Sequence, residues 1–268
     1  MQFMAIVSGA GTPALARLDR YLAGAGAPGL TVPLHPGPAV DLAVAPEGVR
    51  ATPVAFASGA IAGFRVFEAA TRPDAVALLR RWVDTEGAAG PTVELRESGC
   101  PGGCPMVLTD AASAGERYAI LLRSDALTES DGVPPQHMLD TLNAFNAVQA
   151  AAGVLLAGDG LKSTAKGHRI QPRQGKAAVF DGPFTEAKEL ISGFWMVRAA
   201  SLDAAVAWAS RLPYPTGPYV GAIVWPVAWE AEDAPTLSPE QAHADESLRA
   251  EGLDALLRAE LAARPSWH

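Results

Sequence analysis

Cysteine is almost missing from the 268 residues: only Cys100 and Cys104 occur, both inside the Gly/Pro-rich stretch 99–105. A structural zinc site takes four ligands at characteristic spacing. No further cysteine or histidine stands near this pair, and His35, His137, His168, His243 and His268 are scattered. No metal centre or disulfide is expected, and residues 99–115 read as a plain exposed linker. Basic clusters are missing too. With 21 Lys and Arg against 29 Asp and Glu, the net charge is -8, and no Lys/Arg run gathers to neutralise phosphates or anionic headgroups. Nucleic acid and membrane surfaces are therefore not expected partners. Apolar runs such as 150–157 fall short of the roughly 20 residues a membrane helix needs. Residues 1–11 have no basic stretch before their apolar run, so they read as a first strand rather than a secretory signal, and a cytoplasmic location is expected. Phosphate loops, dinucleotide glycine fingerprints and nucleophile–base triads are absent, which leaves phosphoryl transfer, hydride transfer and metal hydrolysis unsupported and implies no cofactor.

What is present is apolar material, 49% of the chain, and a repeat. At a shift of 130, residues 61–81 align without a gap on 191–211 with nine identities in twenty-one positions, including Gly63-Phe64 on Gly193-Phe194 and Ala75-Val76-Ala77 on Ala205-Val206-Ala207. Duplication explains this better than chance. Each copy reads β-α-β-β-α-β. In the second, strands are expected at 117–123, at 168–171 or 176–180, at 193–199 and at 221–227. Its helices are expected from about 136 to 153, with Met138, Leu142, Phe145, Gln149 and Ala152 on one stripe, and at 202–212. In the first, the equivalents are 2–7, 13–22, 41–45, 63–67, 72–83 and 92–96.

The expected fold is α+β: two tandem ferredoxin-like units, 1–98 and 116–233, joined by a linker at 99–115. Their sheets are expected to close face to face as an intrachain pseudo-dimeric barrel. Residues 234–268 read as an appended helix with Leu253, Leu256, Leu257 and Leu261 on one face, covering a barrel edge or forming a homodimer contact.

The most distinctive string is Asp181-Gly-Pro-Phe184, followed by Glu186-Ala-Lys188-Glu189 and Gly193-Phe194. Upstream stand Ala152-Gly-Val-Leu-Leu-Ala-Gly-Asp159-Gly-Leu161 and Ser163-Thr-Ala-Lys166-Gly167. Together they resemble the signature of the DGPF-type, YCII-related family, over about residues 116–233, with Asp159 where the family has Glu and one residue more in the Ser/Lys segment. The resemblance implies a dimeric α+β barrel. It fixes no activity, since family members occur beside sigma factors and fold relatives act on small ring compounds.

The candidate catalytic residues are Asp159, Asp181 and His137. Asp159 follows an apolar run and is flanked by glycines, so partial burial would raise its pKa toward the range of a general base. Asp181 heads a Gly-Pro turn and is as readily a turn residue as a proton carrier. His137 opens a helix where some YCII-related proteins carry a histidine paired with an aspartate, and Asp140 is its candidate partner. The candidate ligand-binding residues are Asn146, Lys166, Phe184, Glu186, Lys188 and Phe194, with Lys166 or Lys188 as counter-charge to an anion. Trp195, Trp208, Trp225 and Trp229 are either core or an apolar pocket. Asp181, Phe184, Glu186 and Lys188 fall on Ala51, Val54, Phe56 and Ser58 of the first copy, so the first copy is expected to have lost polarity and kept packing. Two functions stay open: a small-molecule site, aromatic or anionic, doing cofactor-free acid–base chemistry, or a non-catalytic binding module tied to transcriptional control through a protein partner.

Overall fold

The computed structural model describes residues 1–9, 11–54, 61–100, 107–108, 115–184 and 190–228. The first half runs β1 (Gln2–Ser8), α1 (Gly11–Gly24), β2 (Gly29–Pro33), β3 (Ala39–Ala45), β4 (Gly48–Val54), β5 (Ile61–Glu68), α2 (Arg72–Glu86) and β6 (Thr92–Glu97). A short β7 (Val107–Leu108) follows. The second half runs β8 (Arg117–Arg123), α3 (Ala126–Glu129), α4 (Gln136–Ala151), β9 (Leu155–Gly160), β10 (His168–Arg173), β11 (Lys176–Asp181), β12 (Ile191–Arg198), α5 (Leu202–Arg211) and β13 (Val220–Pro226). Among the described residues no helix is long and apolar enough to cross a membrane.

Two antiparallel sheets result, ordered β11-β10-β6-β1-β5-β2 and β4-β3-β13-β8-β12-β9-β7. Each contains a ferredoxin-like core, β6-β1-β5-β2 or β13-β8-β12-β9. Each also annexes a hairpin from the opposite half: β10–β11 pairs onto β6, and β3–β4 pairs onto β13. The fold is thus α+β, with tandem ferredoxin-like halves closed into a pseudo-dimeric barrel.

The exchange corrects two strand assignments. Residues 41–45 and 168–180, expected as the second strand of each copy, form the exchanged hairpins, and the second strands are β2 and β9. Locally β3 reads as a half-buried strand, with Val40 and Leu42 buried on either side of Asp41. Nothing within a single copy reveals that a hairpin's hydrogen-bonding partner belongs to the other. The connector differs from a plain linker as well, because Val107–Leu108 pairs with β9. The appended helix expected at 234–268 lies outside the described residues.

The repeat survives as matched physical devices. Thr71 and Ser201, 130 apart, each cap a helix by accepting from the backbone N–H three residues on, Asp74 at 3.2 Å and Ala204 at 3.1 Å. Such a cap contributes about 1 kcal/mol. Phe64 and Phe194, also equivalent, meet across the inter-sheet core with ring centroids 4.8 Å apart at 58°, as one residue meets its own copy at a dimer twofold. Met4, Ile6 and Val66 from one sheet and Leu121, Met196 and Ile223 from the other surround them. Each phenylalanine follows a glycine with no room for a side chain: a Cβ at Gly63 would stand 2.4 Å from the Val32 carbonyl oxygen, and one at Gly193 would stand 2.9 Å from that of Asp159. That close approach is why Gly-Phe persists in both copies while its surroundings diverged.

Candidate functional site

Strand β9 buries Leu155, Leu156 and Ala157 and then turns to Gly158-Asp159-Gly160, where the sheet ends. Its neighbour β12 shifts register between Ile191 and Gly193, so Ser192 bulges and Phe194 pairs with Asp159. From the helix layer, α4 turns Leu142 and Asn146 toward this spot. The connector supplies Cys100, held by the Gly99 N–H donating to the Gly160 carbonyl at 2.8 Å and by a bridge between Ser98 and Leu161. With Trp195, Leu122 and Leu161 these residues line a cavity of about 70 Å³.

Asp159 is half-buried, and its pairing with Phe194 sets its side chain on the inter-sheet face, opposite Trp195 and Leu142 of the helix side. Burial pushes its carboxyl from 3.8 up to about 6, and the Gly160 N–H, the Ser98 hydroxyl and Lys162 only partly oppose that rise. Desolvation penalises the ionised form, and Lys162 offsets it only in part. Asn146 adds a second unsatisfied group: its Oδ1 is inaccessible to solvent and has no hydrogen-bond partner. A buried acceptor left open costs on the order of 1–3 kcal/mol.

The other sequence candidates divide. Lys166 does not face Asp159; its Nζ lies 2.7 Å from Asp131 Oδ2. His137 is exposed and Asp140 accepts from Gln136 instead, at 2.8 Å, so the expected histidine–aspartate pair at this helix start does not form. A different pair does: His168 Nδ1 and Asp181 Oδ1 are 2.8 Å apart across the exchanged hairpin, with the Asp181 side chain 81% exposed. They border a separate open groove of about 720 Å³, against Arg72, Val76, Arg80 and Arg81 of α2. Asp159 and Asp181 therefore line different concavities. Phe184 is buried, with the Arg169 guanidinium 4.3 Å from its ring centroid, and Phe194 belongs to the inter-sheet core. Trp208 and Trp225 are core residues, and Trp195 lines the cavity. Glu186, Lys188, Trp229 and Cys104 lie outside the described residues.

Strand register identifies what the first half holds at the equivalent place. Phe64 pairs with Val32 as Phe194 pairs with Asp159, so Val32 stands for Asp159. Arg65 stands for Trp195. Its guanidinium is buried and meets Asp19, the Thr31 hydroxyl at 2.5 Å and the Gly29 carbonyl at 3.1 Å. The expectation that the first copy simply lost polarity needs correction here. It gained a buried, paired arginine where the second half has Trp195.

Sequence reasoning missed Ser98, Cys100 and Ser192 at this site. Ser192 sat inside the recognised Gly-Phe motif, whereas nothing in a Gly/Pro stretch announces that Ser98 and Cys100 fold back onto β9.

Comparison with known proteins agrees with the geometry. A model of the YCII-related domain matches residues 117–228. An uncharacterized protein of Rhizobium meliloti (strain 1021) is 31% identical over 97 residues, 35% of this chain and 78% of its own. The chain belongs to the YCII-related family. The span matched by the YCII-related model contains β9, β12 and α4, and with them Asp159, Asn146 and Trp195. Val32 and Arg65, the counterparts of Asp159 and Trp195, lie outside it.

Proposed function

We propose that this YCII-related protein binds a small molecule in the Asp159 cavity and that the Asp159 carboxyl exchanges a proton with it, without a cofactor. The observation that carries the reading is a carboxyl raised by burial to about 6 on a residue that lines a cavity, at a position where the first half has Val32. Evolving a buried carboxylate costs stability, and such groups concentrate where chemistry uses them. The cavity's size favours a molecule of few atoms over the aromatic ring the sequence suggested. Loss of His137 and Asp181 from the site favours binding over turnover, because no second acid–base pair flanks Asp159 among the described residues. A ligand screen by protein-detected NMR on wild type and Asp159→Asn tests the reading. Compounds that shift β9 and β12 resonances in wild type and not in the variant support it; a complete absence of Asp159-dependent ligands overturns it. Solvent deuterium incorporation into a bound compound, lost in Asp159→Asn, distinguishes proton transfer from binding alone.

A further inference from the structure

We infer that the open groove between α2 and the exchanged β10–β11 hairpin is the docking site of this chain's own acidic C-terminal segment, residues 229–268, seated there as an amphipathic helix. The groove holds about 720 Å³, and its apolar floor is Val76 and Ala77 of α2 with Val179 of β11. Ala77 and Val179 are exposed and Val76 half-buried, so this floor is open to a partner. The stretch of α2 that lines it, from Arg72 to Asp84, is about 18 Å long. Small molecules are held in enclosed pockets. An open trough of three helical turns suits a second helix laid along it.

The rim carries positive charge that nothing nearby balances. Both acids of the groove are engaged: Asp181 Oδ1 lies 2.8 Å from His168 Nδ1, and Asp84 Oδ1 accepts the Ala177 N–H at 2.6 Å. Arg72 meets Glu97 at 2.5 Å. Arg80 and Arg81 are exposed, and among the described residues neither has a salt-bridge partner. The duplication makes the cluster particular to this half, because at the shift of 130 Arg72 and Arg80 fall on Leu202 and Ser210 of α5.

The C-terminal segment is the complement in both respects. Residues 229–268 hold nine Asp and Glu against three Arg, a net -6 of the chain's -8. Leu253, Leu256, Leu257 and Leu261 recur at helical spacing, with Asp254 and Glu260 bordering them. In a helix this run is about 12 Å long, within the length of the groove. The leucines then cover Val76, Ala77 and Val179, and the bordering carboxylates face Arg80 and Arg81. Chain length permits it. Ala228 donates to the Pro33 carbonyl at 2.8 Å, beside β2, and β2 and β11 are opposite edges of the six-stranded sheet. Five strand spacings make about 24 Å, whereas residues 229–245 extended reach up to about 55 Å. A tethered segment docks at high effective concentration, so a modest interface suffices.

The test uses the full chain carrying the photo-crosslinker p-benzoylphenylalanine in place of Ala77, together with hydrogen exchange of the chain without it, both read by mass spectrometry. Irradiation is expected to join position 77 to residues 246–262 within one chain. Amides of 250–262 are expected to exchange at least about tenfold slower than in an unstructured peptide. In Arg80→Glu/Arg81→Glu, where both positions are exposed, the crosslink yield should fall several-fold and the protection to under about twofold. Leu256→Asp/Leu257→Asp should give the same losses from the segment's side, without touching the folded halves. Absence of either signal in the unsubstituted background, or retention of both in the two double variants, overturns the inference. Crosslinks that join two chains overturn it too, and assign the groove to a second copy.

Discussion

Replacing Asp159 by asparagine should stabilise the unliganded protein, and the gain should depend on pH in one direction. Folding raises this carboxyl from 3.8 to about 6, so between those values the folded state binds more protons than the unfolded state. Stability then falls as pH rises through that window, and the full penalty is present above about pH 6. Two pKa units correspond to about 3 kcal/mol as a ceiling, and residual solvent contact at a half-buried group reduces it to about 1–3 kcal/mol. Asparagine keeps the shape and carries no charge to desolvate. For a chain of this length, 1 kcal/mol moves Tm by about 2–4 °C, so Asp159→Asn should melt roughly 3–10 °C above wild type at pH 8, with the difference closing near pH 4. Paired melting curves monitored by circular dichroism across that range measure it. An offset that does not change with pH, or a variant less stable than wild type at pH 8, would refute the claim that burial of charge governs this residue.

Three further outcomes follow from the packing. Phe64→Ala and Phe194→Ala should each cost about 3–5 kcal/mol in urea unfolding, and the double variant should cost less than their sum because the rings share one contact at 4.8 Å. Gly182→Ala should destabilise by at least about 2 kcal/mol by the same measurement, since its Cβ would fall 1.8 Å from the Thr164 carbonyl oxygen and backbone must move; a change within about 0.5 kcal/mol would show that this turn adjusts freely. Asp181→Asn, at an exposed position on the other groove, should change stability by less than about 0.5 kcal/mol and leave every Asp159-dependent ligand response intact, as read by NMR shifts.

Much of the fold was legible because its signals are local. Gly63-Phe64 and Gly193-Phe194 repeat, Thr71 and Ser201 cap equivalent helices, and Leu142 and Phe145 recur at helical spacing, so duplication, element order and face-to-face closure could be read from residues. The second strands could not. Gly29–Pro33 is short, and β9 ends in Gly-Asp-Gly, while the exchanged hairpins have stronger strand character and drew the assignment. The candidate site was legible at Asp159 and Asn146, where motif and apolar context coincide. It misled at Lys166, His137 and Asp181, because a charged side chain on a loop or helix end takes whichever partner the fold presents.

The amino-acid order by itself determined the family, the doubled βαββαβ plan and the placing of a carboxylate after a buried run, since periodicity, caps and glycine positions act over a few residues. Only the tertiary structure decided which half's hairpin completes which sheet, that Arg65 is buried against Asp19 where the second half has Trp195, and that Asp159 and Asp181 line separate concavities. Those outcomes depend on contacts between residues far apart in the chain, whose desolvation and pairing energies exist only once the two halves have closed on each other.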